Sequence, residues 1–469
     1  MASEKLDQVD YLGILKEVEK VAKIQAVTPG NEARISTGLL ALDLILGGGV
    51  TAGMYTFVGP EQSAKTTAAI WISASSIDQD VGFRALWDAE NSTGSSTDYV
   101  ANILRTVGKK DITISELFGQ RKNGKFVQKP MIYYQDIGEG EAFFNWFAAF
   151  LRRLPDKRYE DGQWWLIFED SKENRAHIEK SGQKIDASMS KANGDLYVPT
   201  DNGALQALIV LDSYPALVPA ALDEDDPSAA MAIAARMFSQ HLPRVKGKLR
   251  RKRVALIGIN QLRVNPGVRY GNPEYEPGGG ALKFGSDCRL RWFPRQANGP
   301  ESPYAMSGAS GQLETEKSVT TTGDDVYRFV HCKAIKNKLS LPGREGWFRI
   351  WVSDARGRAR GFDPVFDTFY VLNETGQLTC NAGRKNIKLN IRGLGEAKKT
   401  IDWLEFKTLI LGRKEDKIKI FQKIGYKPVD IRRGILSQLR KGTLEEMYVD
   451  RETARLEAKR AKAAEKKYD

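Results

Sequence analysis

The run Met54-Tyr55-Thr56-Phe57-Val58 followed by Gly59-Pro60-Glu61-Gln62-Ser63-Ala64-Lys65-Thr66-Thr67 decides the fold. Five apolar or β-favouring residues read as a buried strand, and the helical pattern after Thr67 is apolar. Between them lies the phosphate-loop pattern G-x-x-x-x-G-K-[ST], with Ala64 standing where the second glycine is expected. Backbone N–H groups and a helix N-terminus there face an anion, Lys65 adds a point charge, and the Thr66 hydroxyl suits Mg²⁺. A Cβ at position 64 is tolerated if φ is negative or the loop relaxes.

Three further segments read as buried strands: Ala85–Trp87, Ala207–Leu211 and Val254–Ile259, with helical patterns at Glu141–Leu154 and Ala229–Lys248. Strand and helix in alternation predict an α/β domain with a mostly parallel sheet. Ala207–Leu211 ends in Asp212, a carboxylate placed to hold the metal of a nucleotide site. Ala85–Trp87 runs into Asp88-Ala89-Glu90, which supplies acids for activating water.

The chain has 469 residues and a net charge of +12, with 41% hydrophobic and 28% charged residues, a globular composition. The last 89 residues hold 24 basic and 13 acidic side chains, so the first 380 carry only +1. Basicity confined to one end reads as a polyanion-binding appendage on a neutral core. No apolar run is long enough to span a membrane, and the start MASEKLDQVDYLG lacks the apolar stretch of a secretory signal. Cys288, Cys332 and Cys380 are odd in number and far apart, which argues for a reducing compartment, and His177, His241 and His331 lack zinc-ligand spacing.

Residues 9–24 place Val9, Leu12, Leu15 and Val18 on one helical face, an arm within residues 1–34. The core is expected over 35–352, interrupted at about 155–205 by a polar insertion in which Trp164–Phe168 supply a strand. A small basic α+β domain is expected over 361–450, with helices at 396–411 and 414–424, then a basic tail at 451–469.

These segments together resemble the RecA recombinase family of bacteria and phages. The likeness runs from Ile35-Ser36-Thr37-Gly38 through the loop, Asp88-Ala89-Glu90, Asp212-Ser213 and Ala234–Gln240. It is densest from Ile259-Asn260-Gln261-Leu262-Arg263 to Gly278-Gly279-Gly280-Ala281-Leu282-Lys283-Phe284, and ends in Lys336-Asn337-Lys338. The resemblance implies a RecA-type ATPase core that binds ATP and Mg²⁺ and hydrolyses ATP when DNA is bound. Residues 59–67 and Asp212 would hold the nucleotide, Thr66 and Asp212 the metal, and Glu90 would polarise the attacking water. Gln261 would sense the γ-phosphate, Lys336 and Lys338 would reach it from a neighbouring protomer, and Tyr99 would stack on adenine.

The glycine- and proline-rich stretch 264–280 would be the second DNA loop, with Arg263, Val268, Arg269, Tyr270, Gly278 and Gly279 at the DNA and Arg236 behind a first loop at about 219–231. That first loop departs from the family in carrying Leu222–Asp226, LDEDD, and the basic C-terminus departs from the family's acidic tail. Leu12, Leu15, Val18 and Phe284 would be protomer interfaces of a helical filament. The implied function is strand exchange in recombination and repair on single-stranded and duplex DNA, in the cytoplasm at the nucleoid or in a host cell. Two alternatives stay open: a hexameric helicase with the same core, and a filament protein of weak ATPase activity that only coats DNA.

Overall fold

Parallel strands buried on both faces need apolar side chains throughout, and the central strands of this chain have them. In the computed structural model the described residues are 33–191, 193–201, 203–221, 227–264, 274–294, 313–381 and 383–441. The arm residues Leu12, Leu15 and Val18, the loop residues Val268, Arg269 and Tyr270, the acids of 222–226 and the tail lie outside them.

Among the described residues ten strands build one sheet: β1 (Gly53–Gly59), β2 (Val81–Asp88), β3 (Tyr133–Gln135), β4 (Leu205–Asp212), β5 (Val254–Gln261), β6 (Cys288–Pro294), β7 (Leu313–Lys317), β8 (Asp324–Asn337), β9 (Glu345–Ser353) and β10 (Gly361–Phe362). The order is β10-β9-β8-β6-β1-β5-β4-β2-β3, with β7 on β8. The six strands from β6 to β3 are parallel. The flank of β8, β9, β10 and β7 is antiparallel. The fold is therefore α/β with a mostly parallel centre.

Register sets the functional edge. Gly59 lies opposite Gln261 and Asp88 opposite Asp212, so the carboxyl ends of β1, β5, β4 and β2 meet at one level. Helix Lys65–Ser75 packs Ala68, Ile72 and Trp71 onto one face of the sheet, and Gly140–Arg153 with Pro227–Leu249 cover the other through Phe143, Phe147, Phe238 and Leu242. Trp71 and Trp292 together with Phe362 carry the first core on towards the antiparallel flank.

Residues 156–200 form a three-stranded antiparallel sheet, Asp156–Glu160, Gln163–Glu169 and Asp195–Thr200, closed by helix Lys172–Lys180. Its small core is Ile178, Leu196 and Val198. At the C-terminal end the structure moves two expectations. Gly361–Phe362 is a strand of the main sheet, and helix Pro364–Glu374 packs on β9, so residue 361 falls inside the core rather than at a boundary. Residues 396–402 are not helical. Helix Trp403–Leu411 starts at a capping box in which Asp402 accepts from the Glu405 amide. One apolar cluster runs from Ala68 through Phe366 to Phe421, so this end shares its core with the sheet. Among the described residues no helix is long and apolar enough to cross a membrane.

Candidate nucleotide-binding site

β1 delivers the phosphate loop to the carboxyl edge of the sheet. At Gly59 an added Cβ would stand 2.4 Å from the Trp292 carbonyl oxygen, so only glycine fits. The loop then curls over Ser63, whose Oγ donates to the Pro60 carbonyl at 2.8 Å. Ala64 corrects the expectation made for it: its φ is +73°, squarely left-handed, and Gln62 is left-handed too at +57°. The loop keeps the glycine conformation and bears the strain, because helix Lys65–Ser75 must start here for its first amides to face the loop.

Lys65 Nζ donates to the carbonyls of Gly59 at 2.8 Å and Pro60 at 2.5 Å, and to Ser63 Oγ at 3.1 Å. Burial pushes its ammonium down to about 8, against the pull of Asp212, Glu90 and Glu61. Thr66 Oγ1 donates to Asp212 Oδ2 at 2.7 Å. Among the described residues the other Asp212 oxygen is buried with no hydrogen-bond partner. Burial lifts this carboxyl to about 7, with Glu90 and Asp88 adding to the effect and Thr66 and Lys65 opposing it. A hydroxyl beside a carboxylate with a free buried oxygen is a donor set that fits Mg²⁺.

The two acids at the end of β2 separate in role. Asp88 is fully buried and accepts from the amides of Ser92, Thr93 and Gly94 and from Tyr134 OH at 2.9 Å, so it anchors the following turn. Glu90 lies beyond it, where Oε1 accepts from Gln261 Nε2 at 2.8 Å and from Ser213 Oγ. The ends of β2, β4 and β5 are thus tied at one carboxylate. Tyr99 OH shares a hydrogen bond with Thr67 Oγ1 at 2.8 Å, at the start of the loop's helix.

Two contacts escaped the sequence. Ser213 was visible only as the neighbour of Asp212. Arg328, on β8, donates to the Gln62 carbonyl at 2.6 Å from 266 positions away, and nothing in a linear pattern marks that pairing.

Gln261 leads into a short ladder, with Arg263 opposite Tyr275 and Val264 opposite Glu274. Glu274 and Glu276 pin this ladder to Arg291 and Arg289 of β6. Gly278 and Gly279 are left-handed and close-packed on the helix that carries the exposed Arg236: an added Cβ would stand 3.1 Å from Phe238 and 3.3 Å from Ala235. Lys336 and Lys338 sit at the opposite end of the sheet. Lys336 faces Arg289 in register, and the Lys338 amide donates to the Asp287 carbonyl, beside Met54 at the start of β1. The six steps of β1 put that end about 20 Å from the loop, so one protomer does not bring these lysines to its own site. Phe284, 80% exposed, lies beside Lys336, whose Nζ donates to its carbonyl at 3.2 Å.

The family model for the RecA N-terminal domain matches residues 198–302. Protein RecA of Herpetosiphon aurantiacus is 32% identical over 176 residues, 37% of this chain and 43% of that protein. Protein RecA of Thermus aquaticus is 28% identical over 345 residues, 73% of this chain and 72% of that protein. The chain thus spans less than half, 43–44%, of the length of several such RecA proteins. A solved structure described as the RadB recombinase aligns over 70% of this chain and 97% of its own, at 16% identity and a TM-score of 0.33. With the ordered motifs at one edge of a mostly parallel sheet, these sequence matches support membership of the RecA family.

Proposed function

We propose that this protein is an ATP-dependent DNA strand-exchange protein of recombination and repair, which forms helical filaments on single-stranded DNA and hydrolyses ATP in response to it. The observation that carries the reading is the Gln261–Glu90 contact, because Gln261 is the last residue of β5 before the glycine-rich segment. A nucleotide on the loop and a DNA strand on that segment would act on the same hydrogen bond, which couples their affinities reciprocally.

In this reading the amides of residues 60–67 and Lys65 hold the phosphates. Thr66 and Asp212 hold Mg²⁺, which when bound supplies charge neutralisation on the phosphates. Glu90 orients water and takes its proton, and Tyr99 flanks the base. Lys336 and Lys338 complete the site of a neighbouring protomer, consistent with their distance from their own loop. Arg236, Arg263 and residues 265–273 contact DNA, the N-terminal arm and Phe284 join protomers, and the basic C-terminal residues gather duplex.

The test is ATP hydrolysis with and without single-stranded DNA, for the unsubstituted chain and Glu90→Ala together. DNA-stimulated turnover that disappears with Glu90 supports the reading, and electron micrographs should then show helical filaments. A second reading, a coating protein of weak ATPase activity, draws on the strained Ala64. Tight DNA binding without turnover, restored by Ala64→Gly, would favour it.

A further inference from the structure

Residues 120–128 form a β-hairpin that projects from the outer edge of the main sheet, just before β3. Its strands, Gln120–Lys122 and Lys125–Gln128, meet at Asn123-Gly124, both left-handed, as a two-residue hairpin turn demands. Every residue from Gln120 to Val127 is exposed. From Leu117 to Gln135 the chain carries Arg121, Lys122, Lys125 and Lys129 and no acid. Among the described residues none of these four cations has an ion-pair partner, although the first 380 residues together carry a net charge of only +1.

The second observation is independent of charge. The Arg121 guanidinium lies 4.3 Å over the ring of Phe126, which is itself 6.5 Å from Tyr133 on β3. Tyr133 stacks on Trp146 at 5.9 Å and 5°, and Trp146 on Phe150 at 5.6 Å and 7°. Tyr133, Trp146 and Phe150 form a part-buried, nearly parallel shelf, and the exposed Phe126 stands edge-on to Tyr133 at 68°, with Arg121 over both rings, 5.8 Å from Tyr133. Past β3 the chain joins the root of the first loop, where the Gly138 carbonyl accepts from the Val218 amide at 2.8 Å.

We propose that the hairpin and shelf are a third contact surface for single-stranded DNA. Cations alone would suit any polyanion, but the exposed Phe126 ring at the edge of the part-buried stack adds a place for unpaired bases, whose faces a duplex hides. The proposal rests on the DNA-binding reading above and adds a site that the two loops do not supply. Lys122 and Lys125 contact phosphates, while Phe126, covered on one face by Arg121, stacks a base on the other.

The test is fluorescence anisotropy of a labelled oligothymidylate with the full chain across a salt series. Lys122→Gln/Lys125→Gln should lower the slope of log affinity against log salt by about 1.4, two phosphate contacts on a single strand. Phe126→Ala should weaken binding about five- to a hundredfold with the slope unchanged, and Lys122→Arg/Lys125→Arg should bind as the unsubstituted chain does. All these side chains are exposed, so the substitutions do not threaten the fold. Unchanged affinity and slope in the Gln and Ala variants would overturn the proposal. So would a loss of DNA-free self-association with an unchanged slope, because the patch would then seat a second copy of the chain. Failure of the unsubstituted chain to bind DNA would overturn the DNA reading itself and this inference with it.

Discussion

Gln261 Nε2 stands 2.8 Å from Glu90 Oε1 and so bridges two strands that are not neighbours, across the end of β4. Ser213, just past β4, donates to the same oxygen. The carboxylate is held from both sides, and its position depends on where β5 ends. Gln261→Ala should leave basal ATP hydrolysis within a few-fold of normal but abolish stimulation by DNA. Glu90→Gln should lower both by about 10²–10⁴, the usual worth of a positioned base. Steady-state hydrolysis with and without oligothymidylate separates the two.

Ala64 should be the cheapest residue in the chain to improve. A left-handed alanine costs about 1–2 kcal/mol that glycine does not. Gly also loses more entropy on folding, which offsets about half of that gain. Ala64→Gly should raise stability by about 0.5–1 kcal/mol in urea unfolding, with ATP affinity unchanged or tighter. A loss of stability would show that the Ala64 methyl, buried in the main core, contributes more by packing than it costs in strain.

How much of this was legible beforehand differs between the centre and the flank. The strands ending at Gly59, Asp212 and Gln261 were readable because parallel strands covered on both faces must be apolar along their length, and their ends carry the chemistry. The antiparallel flank was not, because β8 alternates as a half-covered strand does, and Arg328 in DDVYRFV looks like any outward charge. Glu396, Lys398 and Lys399 favour helix and predict a start at 396, whereas Gly395–Glu396 pairs with β-strand Lys385–Ile391 and the helix starts seven residues later, at Trp403. The family resemblance singles out Glu90 for the water, but spacing alone does not separate it from Asp88. Only the turn amides at 92–94 show that one is an anchor and the other faces the site.

Arg328 is the residue that the linear sequence hid, and its contact suggests a role through the loop. Its donation to the Gln62 carbonyl holds a left-handed non-glycine residue two positions before another, Ala64. Arg328→Met should therefore weaken ATP binding several-fold with little change in the maximal rate. In an Ala64→Gly background, where the loop is less strained, the same substitution should cost less. An equal cost in both backgrounds, measured by equilibrium nucleotide titration, would mean that Arg328 touches the nucleotide directly instead of bracing the loop.

The junction between sheet and C-terminal residues rests on buried charge. Arg349, fully buried on β9, donates to Glu314 at 2.6 Å, to Glu316 at 2.5 Å and to Asp363 at 2.8 Å. Arg384 pairs with Glu314, and Lys407 donates to Glu316 at 3.1 Å. Burial alone would raise the Glu316 carboxyl, but Arg349, Arg384 and Lys407 outweigh it and hold the group well below the carboxylate range. A depressed folded-state pKa means stability that is present above the unfolded value of 4.5 and lost as pH falls below it. Removing one partner from such a cluster strands the others, so Arg349→Met should cost about 3–5 kcal/mol at neutral pH. It should also move acid unfolding to higher pH, because Glu316 loses its strongest cation. Urea titrations at pH 7 and pH 4 measure both effects. A variant that loses the same free energy at each pH would show that Arg349 acts there by filling space over Tyr327, whose ring centroid lies 3.9 Å from its guanidinium, rather than by its charge.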